Sequence, residues 1–235
     1  MPAAPLLASL FDGFSEVWNF LRGGGEVMIL IVLCSFVSVT VIILKALQLR
    51  DNILFPPETV KEINNLERYA VNGDISPLQK KLEDDGSVAA QLGLIAISGK
   101  HETREENNEA CETAARGLMN KMENGVPLLE VIVTVSPLLG LLGAVIGLVH
   151  VFSSFGSGGG GGAAADGDTQ QVAVGIAEAL HSTIAGLLVA IPTVIAHGYF
   201  SRRLDAIAVR MELLLRRTIH DFHRHFEVKR APANH

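Results

Sequence analysis

Cysteine is nearly missing from this chain. Its 235 residues hold two, Cys34 in an apolar run and Cys111 in a charged one. That separation excludes a disulfide framework and a metal knuckle, and both are read as free thiols. Aromatics are sparse at 6%, although 49% of the residues are apolar and glycine occurs 23 times. Few rings and many glycines suit close-packed helices in lipid better than a water-soluble core. Positive charge is not in excess, since 19 Lys and Arg stand against 25 Asp and Glu, a net charge of −6. Nucleic-acid binding is therefore not indicated. A basic leader is lacking too. The first 26 residues carry one Arg and three acids, so no cleavable signal is expected. The glycine run GSGGGGG at 156–162 lacks the Lys-Ser/Thr ending of a phosphate loop and reads as a flexible connector. With no nucleophile–base pair and no ligand cluster in view, the reading assigns no catalytic residue, no metal, no cofactor and no enzyme activity.

What the chain does have is long stretches without charge. Val27–Leu44 is 18 residues and Val131–Val149 is 19, and a third apolar stretch runs from about Val172 to Phe200. At 1.5 Å per residue the first covers about 27 Å, enough to cross the hydrocarbon core. The expected fold is an all-α membrane protein with three spans. Lys45 and Arg50 follow the first span and are expected to snorkel to a headgroup surface. The segment from Arg50 to Lys121 holds nine Lys/Arg, whereas the loop from His150 to Gln171 holds none. Arg202, Arg203 and Arg210 follow the third span. This bias places the N-terminus outside, the large central segment inside, the Gly-rich loop outside and the C-terminus inside.

The expected organisation is as follows. Residues 1–25 form an amphipathic helix, with Leu7, Leu10, Phe11, Phe14, Trp18 and Leu21 on one face. It lies on the outer membrane surface or packs on its own subunit. Spans at 26–49, 127–152 and 172–200 enclose a cytoplasmic helical domain at 50–126 and a periplasmic loop at 153–171. The domain should contain a helical hairpin over about 58–83 and a longer helix over about 87–123. "PP" at 56–57 and "DDGS" at 84–87 punctuate it. The last segment, 201–235, keeps a seam of Leu204, Ile207, Met211, Leu214, Thr218, Phe222 and His225. The third span should therefore continue into the cytosol, roughly 80 Å if unbroken from 172 to 226, and pack against the 87–123 helix.

Two spans carry the candidate chemistry. In the third, Gly175, Ala179, Ser182, Gly186 and Ala190 form one small-residue stripe. In the second, Ser136, Gly140, Gly143, Ala144 and Gly147 share a face. Such stripes either let helices approach closely or line a narrow space. Neither explains Glu178, a carboxylate about 9 Å inside its span. Burying one costs roughly 2.5–3.5 kcal/mol on insertion scales, so an ion or proton pathway is the expected use. Thr183 lies near the midplane, about 140° around the helix from Glu178. His181 is a candidate relay or a polar residue facing its own subunit. Pro192 is expected to kink the helix. Glu130 reads as interfacial.

The motifs "SPLLGLLGAVIGLVHVF" (136–152) and "GIAEALHSTIAGLLVAIPTVIAHGYFSRRLD" (175–205) resemble the MotA/TolQ/ExbB proton channel family. The three-span layout resembles its ExbB/TolQ branch. The resemblance implies a homopentameric ring in the bacterial inner membrane, enclosing two copies of an ExbD/TolR-like single-span partner. It implies a motor or stator function driven by the proton-motive force. The family's glutamate and threonine fall on Glu178 and Thr183, with Ser182 and His181 beside them in the ion pathway. The family's second-span threonine is replaced by Ala144, and the loss of an oxygen ligand favours protons over sodium. The alternative is a structural scaffold ring that carries no ion.

Overall fold

The structure, a computed structural model, describes residues 25–72, 74–98, 103–157 and 165–224. Among these residues every regular element is a helix: α1 (Val27–Gln48), α2 (Asp51–Leu54), α3 (Pro57–Asn64), α4 (Leu66–Asn72), α5 (Ser76–Asp85), α6 (Val88–Ala96), α7 (Arg104–Glu123), α8 (Val126–Ser157) and α9 (Ala165–Phe222). The expected amphipathic helix, apart from Gly25, lies outside the described residues, as does His225. The chain divides into two compact units. One is Met1–Ile42 with Val126–Gly198, the other Ile43–Gly125 with Tyr199–His235.

The first unit holds apolar segments of α1, α8 and α9, each long and apolar enough to cross a membrane. Its large side chains point outward: Ile29, Phe36, Leu138, Phe152, Leu188 and Ile195 are all exposed. Apolar surface of that extent, on every helix, belongs in lipid or against other subunits. Small and polar residues take the inside. Ser38 of α1 and Thr193 of α9 are buried, their hydroxyl oxygens 2.7 Å apart, and Thr193 donates to Val189 O at 2.6 Å. With the Thr193 proton committed to a carbonyl, Ser38 is the donor between the two hydroxyls. At the other end of α1, Val27, Met28 and Ile31 pack on Ala185, with Leu139 and Val189 against them.

Both long helices run through an internal proline, Pro137 in α8 and Pro192 in α9. Helix also extends further than the sequence reading gives it. α8 reaches Ser157 and α9 starts at Ala165, so the connection narrows from 153–171 to 158–164, which lies outside the described residues.

The second unit is a small helical domain. Ile63 of α3, Leu66 of α4, Leu78 and Leu82 of α5, and Leu92 of α6 are essentially inaccessible and form its core. The "DDGS" turn works through three residues. Asp85 accepts from Thr59 and, at 2.8 Å, from Ser87 Oγ; Gly86 takes the left-handed conformation (φ 62°) that ends α5; Ser87 caps α6 by accepting from Ala90 N–H at 3.2 Å. The single helix expected over 87–123 is instead two, α6 and α7. Thr103 opens the second by accepting from Glu106 N–H at 3.2 Å, and Thr-Arg-Glu-Glu has the spacing of a capping box.

Of the seam on α9, Leu204, Ile207, Met211, Leu214, Thr218 and Phe222 are buried. This part of α9 lies beside α7. Asn107 of α7 donates to Ala96 O at 2.9 Å and, at 3.3 Å, faces Nε2 of His223 just past α9. Because that amide group must be the donor to a carbonyl, His223 Nε2 is the acceptor and its proton sits on Nδ1. Arg203 pairs with Asp51 of α2 at 2.8 Å, and Arg210 lies over the Phe55 ring at 4.4 Å. Lys45 does not snorkel outward. It is buried and donates to Met122 O at 3.0 Å and Gln48 Oε1 at 3.1 Å. The last carbonyls of α7 lack intrahelical donors and carry partial negative charge, which draws the ammonium inward.

Two outcomes follow for this unit. Gly117 on α7 is exposed, and a Cβ there meets nothing within 4 Å. Gly117→Ala should raise stability by about 0.5–1 kcal/mol through helix propensity, read as a higher melting temperature in detergent. Cys111 is 1% exposed, and burial pushes its thiol up to about 11. Its thiolate fraction at neutral pH is then on the order of one in ten thousand. In a Cys34→Ala background, a water-soluble maleimide should leave the native chain unlabelled for minutes and label the unfolded chain at once.

Candidate functional site

The small-residue stripes meet each other within one chain. α8 and α9 approach so closely that added methyl groups would collide with backbone. A Cβ on Gly186 would lie 2.5 Å from Ser136 O, and one on Gly140 2.8 Å from Ser182 O. On Gly147 it would lie 3.2 Å from Gly175 O and 3.3 Å from Ala179 N, and on Gly143 2.6 Å from Ser182 Cβ. Gly175 lies against Val151. Ser136 and Ser182 are fully buried in this seam, and Ala179 and Ala190 are buried as well. Ala144 is only half-buried, to one side.

Two hydroxyls converge at the seam. Ser182 Oγ reaches Gly140 O at 3.2 Å and Ala179 O at 3.0 Å; Thr183 Oγ1 reaches the same two carbonyls at 3.4 and 3.1 Å. Carbonyls only accept, so both hydroxyl protons point at them and both oxygens keep lone pairs. Ser182 is sealed in. Thr183 is half-buried, and a hydroxyl oxygen with a lone pair left is the kind of group that accepts from a hydronium or water or ligates a cation. Ser136 Oγ, by contrast, is buried without a hydrogen-bond partner among the described residues.

Glu178 makes no hydrogen bond to either hydroxyl. It stands seven and eleven residues before Ala185 and Val189, hence on their face of α9, which is the face that packs on α1. Its carboxylate lies against Gly25, just before α1, where a Cβ would overlap Oε1. Glu178 is half-buried, and among the described residues it has neither a cationic partner nor a hydrogen bond. His181 Nδ1 is 2.6 Å from Ala177 O, so this nitrogen carries the proton and Nε2 is the basic position of the neutral ring.

Two features of the site escaped the sequence reading. Gly25 ends a glycine triplet that resembles a plain linker. Ser38 and Thr193 are 155 positions apart, and no local pattern joins them.

A sequence model of the MotA/TolQ/ExbB proton channel family matches residues 63–213. An ExbB-like biopolymer transport protein of Synechocystis is 35% identical over 182 residues, covering 75% of this chain and 81% of its own. The Tol-Pal system protein TolQ of Haemophilus influenzae is 30% identical over 195 residues, covering 77% of this chain and 81% of its own. An ExbB homologue of Methanothermobacter thermautotrophicus is 27% identical over 213 residues, 90% of this chain and 72% of its own.

Proposed function

Because the chain belongs to the MotA/TolQ/ExbB proton channel family, on its ExbB/TolQ-like branch, we propose that it is an ion-conducting subunit of a motor complex in the bacterial inner membrane. Five copies form a ring around two copies of an ExbD/TolR-type single-span partner, and ion flow down the proton-motive force is converted to work at the cell envelope. The N-terminus and the connection between α8 and α9 face the periplasm. The 50–126 domain and the 201–235 segment face the cytosol. Relatives named for biopolymer transport and for the Tol-Pal system support an envelope role.

One observation carries this reading: a carboxylate, Glu178, half-buried in a membrane helix with no counter-charge among the described residues. An acid in that position either takes up a proton or serves a passing ion. Thr183 contributes an oxygen lone pair, and His181 Nε2 a second basic position. Protons are favoured over sodium, since Ala144 brings no oxygen and a proton needs fewer ligands. The test is energised function of the complete system in sodium-free medium at fixed membrane potential. Activity should persist there; dependence on added sodium would overturn the proton assignment.

A second reading has its own support. The glycine stripes are accounted for by the packing of α8 on α9, as a ring that only scaffolds its partner would also need. The Glu178 variants discussed below separate the two.

A further inference from the structure

Glutamate has three side-chain torsions, and at Glu178 no hydrogen bond or ion pair among the described residues holds them. What stands beside it is bare main chain. An ideal Cβ on Gly25 falls on Glu178 Oε1, 3.4 Å from its Cδ and 3.8 Å from its Cγ, so the end of the side chain runs along the Gly25 Cα. Two separate demands act on any other residue there. The backbone is left-handed, with φ 69°, which Asn or Asp tolerates but most residues do not. Any Cβ, that of Asn or Asp included, would also displace the carboxyl group from its place, since the end of this flexible side chain is what must give way.

This stretch of backbone is fastened in place. Gly25 O accepts from Met28 N–H at 3.2 Å, opening α1. Val27 and Met28 are buried with Ile31 and Ala185, and Val27 Cβ lies 3.5 Å from the Cβ position of Gly143. Retreat of Gly25 would pull α1 off both α8 and α9.

We propose that Gly25 is a positioning residue for Glu178, the wall of bare backbone that fixes where the carboxyl group sits. This rests on the reading of Glu178 as the ion-handling acid and adds what orients it. The first membrane helix then takes part in the site without contributing a side chain.

The test uses dicyclohexylcarbodiimide, which adds to protonated carboxyl groups in apolar surroundings. It is applied to the full chain in lipid vesicles, read by mass spectrometry at Glu178, with Glu178→Gln as the blank. Gly25→Ala adds both backbone strain and bulk; Gly25→Asn adds bulk with the strain relieved. Both should change the labelling rate of Glu178 by about tenfold, the scale of effect expected from a misplaced reacting group, and move its pH profile. In a Glu178→Asp background the acid is one methylene shorter, so the effect of Gly25→Asn should disappear and that of Gly25→Ala should shrink to its strain part. Wild-type rate and pH profile in both Gly25 variants would overturn the proposal, as would an undiminished Gly25→Ala effect beside the shortened acid. If Gly25→Asn prevents assembly, recovery of the ring on adding Glu178→Asp supports the wall, and failure to recover overturns it. An error in the ion-site reading would look different: Glu178→Gln would then function normally while the labelling effects of the Gly25 variants remained.

Discussion

Glu178→Gln is expected to abolish energised function while leaving the ring assembled. Glutamine has the shape of glutamate and fits the same place beside Gly25, but it can neither carry a charge nor exchange a proton. The acid has no ion pair or hydrogen bond among the described residues, so its replacement costs no contact and removes a desolvation penalty; stability should hold or rise slightly. Thr183→Val should act likewise. It removes one donor to Gly140 O and Ala179 O, but Ser182 still reaches both at 3.2 and 3.0 Å. The structural loss should stay near 1 kcal/mol or below, while the hydroxyl oxygen is gone. The measurement pairs recovery of the ring and its partner with growth or transport in the same strain. A Glu178→Gln strain with normal function would favour the scaffold. Loss of the ring itself would make Glu178 a structural residue.

Gly186→Ala is expected to damage the membrane unit directly. Its new methyl would sit 2.5 Å from Ser136 O and 3.1 Å from Gly140 Cα. Both obstacles are main chain of α8, which no rotamer change can move. Overpacking of this kind costs about 1–3 kcal/mol, and here it would also part the seam that holds Ser182 and Thr183 over Gly140 O. Gly198→Ala is the control. It lies on the same helix with nothing within 4 Å of its Cβ, so it gains the same helix propensity without the collision. The melting temperature and ring recovery should fall for Gly186→Ala and stay level or rise for Gly198→Ala. Equal behaviour of the two would mean that α8 and α9 are not in contact at that depth.

Much of this architecture is visible in the amino-acid string because lipid imposes a simple rule. Charge-free runs such as Val27–Leu44 and Val131–Val149 are long enough to cross and cannot do much else. The seam from Leu204 to Phe222 is legible for the equally simple reason of helical period. Local interruptions are harder. The start of α7 is set by a local cap, the hydroxyl of Thr103, in a stretch whose composition suits helix on both sides. Lys45 could be placed at a boundary but not turned inward, since its acceptor at Met122 is 77 positions away. The candidate site divides the same way. The sequence picks out Glu178 and Thr183 as unusual and separates them around the helix. Which neighbour each one meets depends on α1 and α8, and hydropathy says nothing about rotation between helices.

The buried pair of Ser38 and Thr193 bears on how the protein is made. The two hydroxyls are not equivalent during insertion. Thr193 brings its own acceptor, Val189 O, from one turn earlier in the same helix, so it can enter hydrocarbon already satisfied. The Ser38 hydroxyl gives its proton to Thr193, and that residue is synthesised 155 positions later. Until then the Ser38 hydroxyl can turn back only to a carbonyl one turn earlier in its own helix, and the arrival of the last span exchanges that bond for the one to Thr193. The last span to emerge thus completes the first.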